Sequence, residues 1–221
     1  MEIDYCQFPE DRLYDLDNNV WIKLDEKKVA TLGITSVHAA LAGKLNKITF
    51  RAGGTAFERG RSVATIESVK YFGAVRTPLT GSLLETNLAL ESNPKFANDH
   101  PYDTGWFVRI QPRQLDQEIQ TLTQPRIGEE KIRSLIRDLR VRCFKAFPDH
   151  QMWEIGVECA AVLVRLNDLM KQIATNEIVH VVSDDPTADI EMARWSDETG
   201  QEVLESRSEG KLAHFIVKKV K

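Results

Sequence analysis

Two residues in the 221-residue chain stand where their types and surroundings could do chemistry. The first is Lys70, in the run SVATIESVKYFGAVRTPLTG (62–81). Two β-rich arms flank ESVKYFG and set the lysine at the turn between them. A primary amine held out on a rigid hairpin suits covalent attachment of a swinging group. Amide formation there removes the charge and leaves an arm that visits partner sites. An exposed hairpin lysine with no special role fits the same spacing. The second residue is Cys159, in GVECAAVLVRL (156–166), just ahead of an apolar helix. Free N–H groups and the positive end of a helix dipole lower a thiol's pKa and favour thiolate or persulfide chemistry. The competing reading is a small buried hydrophobe, a common fate of a free cysteine.

Other chemistries find no constellation. Cys6, Cys143 and Cys159 are odd in number, widely spaced and without CxxC. Neither a disulfide framework nor a zinc site is expected from them. Cys143 is expected as core on a helical stripe, and Cys6 as incidental in a mobile N-terminal segment. A reducing, cytoplasmic setting fits that usage. The histidines (His38, His100, His150, His180, His214) lack HxxxH or HExxH spacing, so no metal is expected. RAGGTAFERG (51–60) carries glycines at turn spacing, not at the spacing of a phosphate loop. A net charge of −4 disfavours nucleic acid, whose binding leans on Lys and Arg. RDLRVR (137–142) and KKVK (218–221) read as solvated faces or a tail. No apolar run approaches the ~20 residues of a membrane helix. MEIDYCQFPEDR is too polar and acidic for a secretory signal.

The elements that must position these residues fall into three patterns. Up to Pro112 the chain reads as short strands separated by turns: VWIKL (20–24), KKVATLGI (27–34), NKITFR (46–51), SVATIES (62–68), VRTPLTG (75–81), SLLETN (82–87) and TGWFVRI (104–110). HAALAGK (38–44) is a short helical insertion and LALESNP (88–94) one helical turn. Such spacing predicts a barrel or sandwich. In 129–147, apolar residues at 132, 135, 136, 139, 143, 144 and 147 form one helical stripe, expected to pack on a domain or partner. From Gln151 the order β-α-β-α-β-β predicts a compact α+β sandwich. The expected domains are therefore 1–112, a helical linker 113–150, and 151–221.

Residues 17–110 resemble the lipoyl-carrying H protein of the glycine cleavage system. The resemblance lies in VATLGIT (29–35), VATIESVK (63–70), TPLTGSLLETNLALESNP (77–94) and DHPYDTGWFVRI (99–110). It implies an all-β barrel-sandwich hybrid with lipoate on Lys70. Glu67, Ser68 and Val69 fall in the stretch read by the lipoate-attaching enzyme, and Gly81 matches the turn glycine opposite. Gly105 and Trp106 match the closing-strand motif as structural residues. The sequence departs from the family at Asn19-Val20-Trp21, where H-E-W is usual. It departs again at Tyr71-Phe72-Gly73, where small residues are usual. The two aromatics either fold on the flank or meet a partner. FPEDRLYDLDNNVW (8–21), LAGK (41–44) and ESVKYFGAVRTP resemble the lipoate-binding proteins of the sulfur-oxidising heterodisulfide-reductase-like system.

Residues 152–221 resemble the TusA sulfur carriers through EIGVEC (154–159), EIVHVVSDDPTADIEMARW (177–195), TGQEVLE (199–205) and EGKLAHFIVKK (209–219). By that likeness Cys159 takes the sulfur-carrying position, although the family's Cys-Pro-x-Pro is here Cys159-Ala160-Ala161-Val162. The domain is either a persulfide carrier or a docking module with an inert cysteine. Together the resemblances imply a carrier, not an enzyme, that moves a sulfur-containing group. Its partners would be the lipoate-attaching enzyme, heterodisulfide-reductase-like or other sulfur-transfer enzymes, and dihydrolipoamide dehydrogenase. The alternatives are an H protein carrying an aminomethyl group in glycine cleavage, and an unlipoylated interaction or regulatory protein.

Overall fold

The structure, a computed structural model, describes residues 1–51 and 56–221. Gly53 and Gly54 of the glycine-containing run lie outside the described residues. The chain divides into two compact units, 1–143 and 144–221.

The first unit contains β1 (Glu2–Ile3), β2 (Cys6–Gln7), β3 (Leu13–Asp15), β4 (Val20–Leu24), β5 (Ala30–Ile34), α1 (Ser36–Ala42), β6 (Leu45–Phe50), β7 (Ala56–Phe57), β8 (Ser62–Ser68), β9 (Phe72–Arg76) and β10 (Gly81–Thr86). It continues with α2 (Ala89–Ser92), α3 (Phe96–Asp99), β11 (Val108–Pro112), α4 (Leu115–Glu118), a 3-10 turn and α5 (Glu129–Leu139). One sheet has the order β3-β4-β5-β11-β10-β7 and a second β6-β8-β9. Both feed one core: Val20, Ile22, Leu32, Ile34, Val108 and Ile110 from the first, Ile48, Ala64, Ile66 and Val75 from the second. Neither sheet closes into a barrel among the described residues. The unit is sheet-rich rather than all-β. Thr35 starts α1 by accepting the His38 N–H on its side chain, and Gly43 ends it at φ 76°, where a side chain would be strained.

Three expectations change here. The N-terminal segment is packed, not mobile: Ile3, Cys6 and Phe8 are buried with Tyr14, Trp21, Val37, Ile132 and Ile136 in a second core. The helix expected over 129–147 stops at Leu139. Arg140 turns left-handed (φ 51°), and the N–H of Val141 closes the turn on Ile136 O. Ile132 and Ile136 are buried, but Cys143, Phe144 and Phe147 leave the helical stripe. Finally, Cys6 and Cys143 form a disulfide, so Cys159 is the free cysteine. Sequence spacing gave no sign of it because the bond joins residues 137 positions apart. It also removes the argument from cysteine usage to a reducing compartment.

The 113–143 part of the expected linker belongs to this first unit. Thr123 pairs with Tyr14 through both backbone bonds. Arg126 bridges to Glu10 at 2.7 Å, Lys131 to Asp17 at 2.9 Å, and Arg133 to Asp4.

The second unit runs β12 (His150–Glu154), α6 (Cys159–Gln172), β13 (Ile178–Ser183), α7 (Ala188–Thr199), β14 (Glu202–Glu209) and β15 (Leu212–Lys218). Its sheet order is β12-β13-β15-β14, parallel at β12–β13 and antiparallel elsewhere. Buried residues of α6 (Cys159, Val162, Leu166, Met170) and α7 (Ala188, Met192, Trp195) recur at helical spacing. They meet Val179, Val181, Ala213, Phe215 and Val217 of the sheet.

Among the described residues no helix is long and apolar enough to cross a membrane, and no group of three His, Cys, Asp or Glu side chains could hold a metal ion. Two of the scattered histidines do meet: His180 and His214 stack in the second unit with ring nitrogens 3.0 Å apart, beside Phe144 and Trp153.

Candidate functional site

Lys70 lies in the two-residue turn that joins β8 to β9. The Ser68 N–H donates to Tyr71 O at 2.8 Å, leaving Val69 and Lys70 at the tip. Neither has a positive φ, so this is not one of the primed turns that hairpins favour. Ser68 compensates. Its Oγ accepts the N–H groups of Lys70 (3.2 Å) and Tyr71 (3.1 Å) and donates to Ala42 O at 2.7 Å. That last bond fastens the tip to the end of α1. The Lys70 stem crosses Gly43, where an added Cβ would sit 2.6 Å from the lysine Cε. The stem is free to swing away, so it is the positive φ that demands glycine there.

The tip is open to solvent. Lys70 is exposed, Val69 is 99% exposed and Phe72 is 73% exposed. Glu67 sits one strand-step inside, opposite Lys47 on β6, and its carboxylate lies 3.1 Å from the Lys47 ammonium. The two aromatics after the lysine part company. Tyr71 turns inward on the core and its hydroxyl reaches His38; Phe72 points outward. Strand alternation at 71, 72 and 73 was the available signal for this split. His38 had no signal in the sequence. Gly81 lies away from the tip, at the start of β10. A Cβ there would stand 2.3 Å from Gln111 O, so close strand approach already accounts for the glycine. The same holds for Gly105, where an added Cβ would meet His100 O at 2.6 Å.

Cys159 opens α6 as expected, but it is 4% exposed. Burial pushes its thiol pKa up, and the Asp185 and Glu191 carboxylates push it further the same way. Burial, and after it the two nearby carboxylates, work against the lowering expected from the helix N-terminus. Asp185 also organises the loop: its carboxylate accepts the Cys159 N–H at 2.8 Å and the N–H and hydroxyl of Thr187 at 2.8 and 2.7 Å. These bonds hold the Asp185 carboxyl below its ordinary range. Asp184 accepts the Gly156 N–H at 2.7 Å. The acidic pair thus stitches together the starts of both helices.

Comparison with known proteins finds a family for each unit. Residues 12–134, more than half of the chain, match the family Glycine cleavage H-protein. The chain belongs to the glycine cleavage H-protein family. Its H-protein unit is fused to a second one, since residues 155–219 match Sulfurtransferase TusA. The chain is 39% identical to glycine cleavage system H protein 5 of Aquifex aeolicus over 146 residues, 64% of this chain and 98% of that protein. It is 34% identical to the probable glycine cleavage system H protein 2 of Sulfurisphaera tokodaii, over 64% of this chain and 96% of that one. A crystal structure of the glycine cleavage system H protein from Mycobacterium marinum shares 28% identity, covers 48% of this chain and 86% of its own, and superposes with a TM-score of 0.45. H proteins are carriers that bear lipoate on a lysine.

Proposed function

We propose that this protein is a lipoyl carrier whose attachment residue is Lys70 and whose cargo is a sulfur-containing group. The observation that carries the reading is an exposed lysine on a braced two-residue turn, in an H-protein chain fused to a TusA-like unit. The site fits the group. The amine faces solvent, the N–H groups of Lys70 and Tyr71 already donate to Ser68, and Val69 and Phe72 leave both sides open. Lipoate, once bound, supplies a dithiol for sulfur exchange. Lys70 provides the amide anchor, and Glu67, Ser68 and Val69 form the stretch presented to the lipoate-attaching enzyme. In fold terms we read the two sheets of the first unit as the halves of a barrel-sandwich hybrid. The second unit is then a two-layer α+β sandwich.

The protein acts as a carrier for partner enzymes rather than as a catalyst. Heterodisulfide-reductase-like or other sulfur-transfer enzymes would load and unload it, and dihydrolipoamide dehydrogenase would reoxidise it. The TusA-like unit keeps a sulfur-handling fold on the same chain, which raises local concentration without a new contact. Burial of Cys159 supports a docking role for that unit over direct persulfide relay. Placement in the cytoplasm is part of the same proposal, and persistence of the Cys6–Cys143 bond in protein from the native host tests it.

A second reading is favoured by the relatives, whose names are those of glycine cleavage H proteins. There Lys70 would carry an aminomethyl group. Intact mass and peptide mapping of protein from its native host test the common step. A lipoyl adduct on Lys70 is expected. An unmodified Lys70 in a host with active lipoylation would overturn both readings and leave an interaction protein. Loading by glycine with the decarboxylase, and no loading by a sulfane-sulfur donor, would select glycine cleavage. Unchanged sulfur loading in Cys159→Ser would exclude direct relay.

A further inference from the structure

A second hydrogen bond, besides that of Ser68 to Ala42 O, ties the Lys70 turn to α1. The Tyr71 hydroxyl lies 3.2 Å from His38 Nε2, and the two rings meet edge to face with centroids 5.9 Å apart. His38 is buried, and its Nδ1 lies 3.3 Å from the carbonyl oxygen of Asn19. A carbonyl only accepts, so Nδ1 carries the proton. Nε2 is then the acceptor and the Tyr71 hydroxyl the donor. Gly73 completes the seat. It shares a strand face with Tyr71, and a Cβ built there would stand 2.5 Å from both the Tyr71 hydroxyl and its Cε1. The phenol ring lies where the side chain of any other residue at 73 would be. His38 belongs to the same helix whose Ala42 carbonyl accepts from Ser68. The tip is therefore held on α1 at two points, one on each side of Lys70.

We propose that His38, Tyr71 and Gly73 form a latch that fixes the hairpin tip and presents Lys70 in one place to the lipoate-attaching enzyme and to later partners. They are positioning residues, and their role rests on Lys70 being the carrier lysine. Attachment joins the Lys70 amine and the lipoate carboxyl as an amide: ATP converts the carboxyl to an acyl adenylate with release of pyrophosphate, the amine displaces AMP from it, and the amine's proton passes to solvent. The latch takes no part in that bond. It removes alternative turn conformations that an enzyme would otherwise have to select against.

The test uses the full chain, purified without lipoate. It is treated with a lipoate-attaching enzyme, lipoate and ATP, and adduct formation at Lys70 is followed by mass. Tyr71→Phe keeps the ring and loses the donor. It is expected to lower the attachment rate about fivefold, the equivalent of one neutral hydrogen bond. Gly73→Ala, which displaces the ring, is expected to do at least as much. His38→Gln supplies an amide oxygen as acceptor and is expected to restore most of the rate, whereas His38→Leu fills the space without an acceptor and does not. A role confined to filling space would be met equally well by leucine, and Asn19→Ala, which leaves its backbone carbonyl in place, should not change the rate. Two further readouts do not depend on attachment: nitrogen NMR of His38, which should show the Nδ1–H tautomer, and amide exchange at 69–72, which should quicken in Tyr71→Phe. If the wild type takes up no lipoyl group at Lys70, the carrier reading fails, and these two readouts still decide whether the latch exists. Unchanged rate and exchange in Tyr71→Phe, or leucine matching glutamine at 38, would overturn the latch.

Discussion

The two candidate sites differ in how the fold treats a reactive group. Lys70 is pushed out: it sits on a two-residue turn, flanked by solvent-facing Val69 and Phe72, and Ser68 takes the N–H groups of Lys70 and Tyr71. Cys159 is drawn in. It opens a helix, yet its sulfur is buried in the core of the second unit and faces two carboxylates. Position along the sequence marked both residues. Only one of them has surroundings that match the chemistry the position suggests. The lesson is that a helix N-terminus lowers a thiol's pKa only while the thiol stays solvated and no carboxylate is near.

The largest expected effect falls on the presented residue. Lys70→Arg keeps the charge and the turn but removes the acylatable amine, so lipoyl incorporation should vanish entirely while unfolding behaviour stays within about 0.5 kcal/mol of wild type. Incorporation elsewhere on the chain, seen by peptide mapping, would break the comparison at its first term.

Next come the other two sulfurs. Cys6 and Cys143 are locked together inside the second core of the first unit. Reduction frees a loop of more than a hundred residues and should lower stability there by about 2–4 kcal/mol. Amide exchange at Ile132 and Ile136 with and without reductant measures it. An equal response in α6 would show that the effect is not confined to the unit that holds the bond.

How much of this was legible in the sequence depends on the range of the interaction. The hairpin arms, α1, and the whole β-α-β-α-β-β order of the second unit follow from local periodicity and turn residues, and they were readable. So was Lys70, because a β-turn is a local object. The disulfide, the packed N-terminus and the His38–Tyr71 contact join residues 137, 129 and 33 positions apart in the pairs Cys6–Cys143, Asp4–Arg133 and His38–Tyr71. No periodicity reports such pairs. The early end of α5 is a second kind of miss. The apolar spacing continues past Leu139, but a left-handed Arg140 reverses the chain toward its disulfide partner. The upward push on the Cys159 pKa was missed because burial, its larger cause, is set by the tertiary fold, and the Asp185 and Glu191 carboxylates lie 26 and more residues away.

The latch makes the presented site sensitive to acid. Burial lowers the His38 pKa from 6.5 to about 4, against a smaller opposing contribution from the Asn19 carbonyl. The folded value lies below the unfolded one, so the unfolded chain takes up the proton first as pH falls. The stability at stake is complete above pH 6.5 and is lost between 6.5 and 4, in total about 3 kcal/mol. Urea titrations at pH 7 and 4.5 should therefore show wild type losing about 2–3 kcal/mol more than His38→Gln. Parallel losses would place the acid sensitivity elsewhere.

Gly81 sharpens the comparison from the packing side. If the glycine is needed for strand approach, Gly81→Ala should cost about 1–3 kcal/mol, because its Cβ meets the immovable Gln111 carbonyl. The folded fraction should still accept lipoate at the wild-type rate. Full stability with slowed attachment would instead make Gly81 part of what the attaching enzyme reads.

The smallest effect concerns Cys159, and it bears most directly on whether the second unit carries sulfur at all. A thiol that is buried and has a raised pKa reacts slowly, because the thiolate is the nucleophile and the reagent must also reach it. At pH 8 alkylation by iodoacetamide should run at least tenfold slower in the folded chain than in urea, a difference of about 1.4 kcal/mol. Asp185→Asn removes one of the two carboxylates that raise the pKa and keeps a side-chain oxygen for the Cys159 N–H, so it should recover a fewfold of that rate. Alkylation in the folded chain as fast as in urea would mean that the loop at 156–159 opens readily. The contrast between a presented lysine and a sealed thiol would then become a contrast in timing, with Cys159 exposed on demand.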